Sequence, residues 1–177
     1  PRDWSSDVCS SDLFELPAGW RVEEIPGALF AARPVEPLDP VDPAGSVASG
    51  SQLTVSARRV PVDADLRRIA PASLARLRRE HPDLQVDTER VGRFGDGGLT
   101  VYVRAVRLAV GRPARTVSEV HALALAPPEP QRPVRDLFVL VGRCEADAVE
   151  RHGPLFLSMI ATFRIGDSPD GGCGDLA

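Results

Sequence analysis

The chain has 177 residues, enough for one domain with its own core, since a chain of this length buries about 70% of its unfolded surface on folding. Its formal charge of −4 comes from 21 basic and 25 acidic residues, and every basic one is an arginine; so small a balance gives no electrostatic case for nucleic acid or an anionic membrane surface. No apolar run reaches the ~18 residues of a membrane helix, and Cys9, Cys144 and Cys173 have neither the paired spacing of a zinc site nor the number for a disulfide framework.

The first stretch, residues 1–12 with Trp4 and Cys9, resembles the translation of a sequencing adapter and is set apart from fold reasoning. The visible sequence reads as cytoplasmic, while a displaced native start leaves room for a signal peptide or lipobox. From Leu13 the chain reads LFELPAGWRVEEIPGALFAARP, which predicts a short strand stopped by Pro17, a turn at Ala18 and Gly19, and a second strand over 28–32. Trp20 has a large ring to bury against the sheet or to stack on a ligand. Residues 34–51 are rich in Pro, Gly, Ser and Asp and read as a surface loop. In 52–60, Leu53, Val55 and Ala57 alternate with Thr54, Ser56 and Arg58, the mark of a strand with one dry face.

A helix follows over 63–80, capped by Asp63 or Asp65, with Leu66, Ile69, Ala70, Leu74 and Leu77 as its buried stripe. Pro71 predicts a kink or two abutting pieces. Arg67, Arg68, Arg76, Arg78 and Arg79 take the remaining surface and read as a solvated face. Strands are predicted over 84–94, 99–108 and 114–126, the first two joined by a hairpin turn at Gly95 to Gly98. In the second of these, Tyr102 lies on a face that is only partly covered.

The densest apolar run, Leu137 to Val141, predicts a central strand covered on both faces. Beyond it, Leu155, Phe156, Met159, Ile160 and Phe163 recur at three- and four-residue spacing on one side of a helix. Gly153 and Pro154 divide this lid into 146–152 and 154–163, with His152 at the joint. Residues 166–177 read as a disordered tail. The fold class is therefore α+β: a twisted antiparallel sheet of about six or seven strands, flanked by a helix near 63–80 and a broken helix near 146–163, in an α/β/α sandwich spanning 13–165.

No catalytic constellation, metal spacing or cofactor motif is readable. Ser118 and His121 sit three apart on a strand, hence on opposite faces, and Glu145, Asp147 and Glu150 read as complements to a helix dipole. Trp20, Tyr102 and His152 are the candidates for a binding surface.

Leu16, Pro17, Gly19 and Trp20 at the front, Gly153, Pro154, Phe156 and Phe163 at the back, and the order of elements between them resemble the PsbP-like α/β/α superfamily, in particular its LpqN-type branch. The Pro-rich insertion at 34–51 departs from that pattern. The resemblance carries no catalytic residues across. What it implies is a non-enzymatic accessory or chaperone-like module of a bacterial assembly, secretion-linked as related adaptors are, with a protein partner of unknown identity and an oligomeric state left open. The alternative is a small-molecule or lipid carrier with a pocket between sheet and helix.

Overall fold

A computed structural model describes residues 15–35, 50–94 and 98–165. The adapter-like start, most of the Pro-rich segment, the middle of the Gly95–Gly98 turn and the expected tail lie outside the described residues, as do Cys9 and Cys173.

Seven strands form one antiparallel sheet: β1 (Trp20–Val22), β2 (Phe30–Pro34), β3 (Gln52–Pro61), β4 (Gln85–Phe94), β5 (Leu99–Val110), β6 (Arg115–Leu125) and β7 (Val134–Glu145), in the order β1-β2-β3-β7-β6-β5-β4. The apolar run of β7 occupies the central position, paired with β3 from Gln52↔Arg143 to Pro61↔Val134 and with β6 from Val117↔Glu145 to Leu125↔Leu137. Phe94 pairs with Leu99, so the predicted hairpin joins β4 to β5. Of the expected strand before Pro17 only Glu15 and Leu16 are among the described residues, and both are irregular; Gly19 turns the chain at φ 81°, and the first described strand starts at Trp20.

Two helices cover the sheet, one on each face. α1 (Leu66–Glu80) starts at Asp65, whose carboxylate accepts from the Arg67 amide at 2.9 Å. It is one continuous helix, so the predicted division at Pro71 is corrected. Pro71 is exposed and its missing N–H removes a single bond, to the Arg67 carbonyl, while Leu66, Ile69, Leu74 and Leu77 hold both sides of it to the sheet. Of the expected stripe only Ala70 is fully buried; the four larger residues are half-buried.

A 3-10 turn, Ala146–Ala148, leads into α2 (Val149–Ala161), which contains Pro154 without a break. The predicted joint at Gly153–Pro154 is thus displaced to Ala148–Val149, and His152 lies inside the helix, fully buried. Phe156, Met159 and Ile160 sink into the core over β6 and β7, each burial worth on the order of 2 kcal/mol before chain entropy is set against it. Contact is closest at Gly142 of β7, where an added Cβ would stand 2.4 Å from Cγ of Phe156. Glycine is what lets the ring lie flat on the strand.

Candidate interaction surface

On the α1-bearing face one transverse row crosses five strands: Thr54, Val141, His121, Arg104 and Glu89. Arg104 is 1% exposed beneath α1 and donates to the Ala70 carbonyl at 3.2 Å and to the Ser73 hydroxyl at 2.9 Å, tying the middle of the helix to the sheet. Burial pushes its pKa down, against the pull of Tyr102, Glu89 and Glu119.

One step along β6, Glu119 shares this face with His121. The Glu119 carboxylate takes His121 Nε2 at 2.6 Å and, through its other oxygen, Arg143 Nε at 2.6 Å. Burial raises the Glu119 pKa, but His121 and then Arg143 outweigh it and leave the carboxyl lowered. A histidine held by a carboxylate has the form of a catalytic pair, yet these groups satisfy one another. Two cavities of about 300 Å³ each lie among the described residues, one beside Asp147, Glu150 and Arg151, the other beside Arg59, Pro127 and Arg132. Neither is lined by Glu119 or His121. Burial pushes the Cys144 thiol up to about 11, which leaves it unreactive at neutral pH. Among the described residues no His, Cys, Asp and Glu gather as a metal site, and no helix is long and apolar enough to cross a membrane.

The three candidates of the sequence separate onto two faces. Trp20 and His152 meet edge to face on the α2 side, with ring centroids 6.4 Å apart, and each also packs on Phe156. His152 is wholly enclosed there and Trp20 is half-buried. Tyr102 stands on the α1 side, half-buried, where burial and then a hydrogen bond to Glu89 push its phenol up. Beside it Val91 of β4, opposite in register, is 64% exposed.

Two features of the α1 side are open to solvent. The outer surface of α1 carries Arg67, Arg68, Arg76, Arg78 and Arg79, all exposed. Only Arg76 is ion-paired among the described residues, to Glu80 at 2.8 Å. The second feature is β4, a ten-residue strand paired on one side only. Sequence reasoning missed the Glu119–His121–Arg143 network; the signal was the two-residue spacing of Glu119 and His121, which places both on one face of a strand.

No family model and no curated protein sequence matches the chain. Solved structures do. LpqN of Mycobacterium tuberculosis, a protein involved in cell envelope biogenesis, superposes with a TM-score of 0.63 at 12% identity over 82% of this chain and 78% of that one. Cyanobacterial PsbP from Synechocystis superposes with a TM-score of 0.55 at 15% identity, over 89% of both chains. The resemblance read from the LPAGW turn and the order of elements is therefore one of architecture: the chain has the PsbP-like, LpqN-type fold.

Proposed function

We propose that the protein is a non-enzymatic binding module, an accessory or chaperone-like component of a bacterial assembly and secretion-linked in the manner of related adaptors, that holds an acidic segment of its partner along α1. The arginine face of α1 carries this reading. The helix bears a net charge of +4 in a chain of −4, which leaves −8 on the rest. Near-neutral overall balance thus conceals a segregated charge. Arg67 and Arg68 are also the second and third residues of the helix, where the dipole disfavours cations by about 0.3–1 kcal/mol each. Helix stability alone does not account for them. The acidic remainder of the chain repels an extended polyanion such as a nucleic acid or a membrane, whereas a short acidic segment of a protein meets only the helix. LpqN, involved in envelope biogenesis, is a fold-level analogy for the setting.

The test is fluorescence anisotropy with a labelled 15-residue Glu/Asp-rich peptide. Binding that weakens with salt and disappears on reversing Arg67, Arg68, Arg78 and Arg79 to Glu supports the reading. Equal binding by wild type and variant, tighter binding to duplex DNA or anionic vesicles, or turnover in a substrate screen overturns it.

A further inference from the structure

We propose that β4 is the site at which two copies of this chain join, edge to edge, in a two-fold symmetric dimer. The sheet has two outer strands. β1 is three residues long, a form of edge that offers little to pair with. β4 is ten residues long and almost wholly exposed, and a bulge between Val86 and Thr88 confines its regular part to Thr88–Phe94. Along that part Glu89, Val91 and Arg93 share the α1-bearing face, opposite Arg104, Tyr102 and Thr100 of β5.

Charges on an edge strand ordinarily discourage pairing. Here they are self-complementary. Antiparallel pairing of two copies about Val91 sets Glu89 of one against Arg93 of the other, twice, with the two exposed Val91 side chains between them. On the opposite face Arg90 falls against Gly92, so no like charges stand directly opposite, and the two Arg90 side chains are diagonal neighbours that can splay into solvent. Symmetry also selects this register. Moving the axis one residue back puts Arg90 against Arg90, and moving it one residue forward puts Gly92 against Gly92 and loses both ion pairs. The contact closes on itself: among the described residues the pair leaves only the two short β1 edges outside, so association stops at two.

The inference stands on different residues from the α1 reading, and either can fail without the other. Sedimentation equilibrium of the full chain, up to about 0.1 mM, is expected to show a monomer–dimer equilibrium without larger species. Arg93→Glu and Glu89→Arg each turn two attractions into repulsions and are expected to weaken the dimer by about tenfold or more. The double variant Glu89→Arg/Arg93→Glu restores the pairs with reversed sense and is expected to recover wild-type association. Both side chains are exposed, but Glu89 also accepts from the Tyr102 hydroxyl and faces Arg104, so Arg93→Glu is the cleaner single variant, and circular dichroism verifies that each variant remains folded. A wild-type monomer throughout the range, single variants that dimerise like wild type, or a double variant no better than the singles overturns the proposal.

Discussion

Gly142→Ala adds one methyl group beneath the ring of Phe156, at 2.4, 2.7 and 2.8 Å from Cγ, Cδ1 and Cδ2. Carbon atoms in contact prefer about 3.5–4.0 Å, so something has to move by an ångström. The strand is held on both sides, Gly142 pairing with Leu53 of β3 and with Val120 of β6. The ring is 1% exposed and boxed by Trp20 and His152, with centroids at 6.0 and 6.3 Å. With neither side free to yield, the expected cost is that of overpacking, about 1–3 kcal/mol. For a urea slope of about 2 kcal/mol/M, the unfolding midpoint falls by roughly 0.5–1.5 M with an unchanged slope. A second substitution separates overpacking from a lost backbone freedom. Phe156→Leu removes the ring, so its cost of about 1–2 kcal/mol in the native background shrinks in the Gly142→Ala background, with a coupling of at least about 0.5 kcal/mol. Gly142→Ala within about 0.5 kcal/mol of wild type, or strictly additive costs, would refute the argument.

The Glu119 network predicts a pH effect of definite sign. A carboxyl lowered in the folded state contributes stability that is fully present above its ordinary pKa of about 4.3 and is lost as pH falls through the lower folded value. Glu119→Gln is therefore expected to cost about 1–3 kcal/mol at neutral pH, and its difference from wild type in urea unfolding is expected to narrow in acid; a constant difference would count against the pairing. Asp65→Ala removes the cap of α1 and is expected to lower stability by about 0.5–2 kcal/mol in a thermal melt followed by circular dichroism, while Asp63→Ala, which caps nothing, is expected to stay within about 0.5 kcal/mol.

Most of the sheet was legible because its strands alternate, as in 52–60, or carry a dense apolar run, as in the five residues Leu137–Val141. What the sequence hid has physical causes. Pro71 and Pro154 are each the sixth residue of their helix, past the first turn, and each forfeits the one intrahelical bond that any interior proline forfeits. Packing against the sheet on both sides of the proline decides for continuity, and packing is invisible to a local rule. β1 is too short for alternation to register, and its position after the LPAGW turn follows from pairing with β2 at Trp20↔Pro34. The arginines of α1 were read against the charge of the whole chain, which averages away their segregation. That Glu89, Val91 and Arg93 lie on an edge is a matter of strand order, and strand order is set by long-range pairing.

The place of β7 bears on how the molecule is made. β4, β5, β6 and β7 form consecutive antiparallel neighbours, but β1, β2 and β3, the first three of the seven to be synthesised, have no partner beyond themselves until β7 arrives. The strand synthesised last is the one that joins the two halves, with Gln52 waiting for Arg143. Until then two half-sheets carry unpaired inner edges, β3 and β6, in a chain whose folding rate is governed by that distant contact. Truncation ahead of Val134 therefore removes more than one strand's share of the fold: it leaves two half-sheets of one chain with no strand pairing between them.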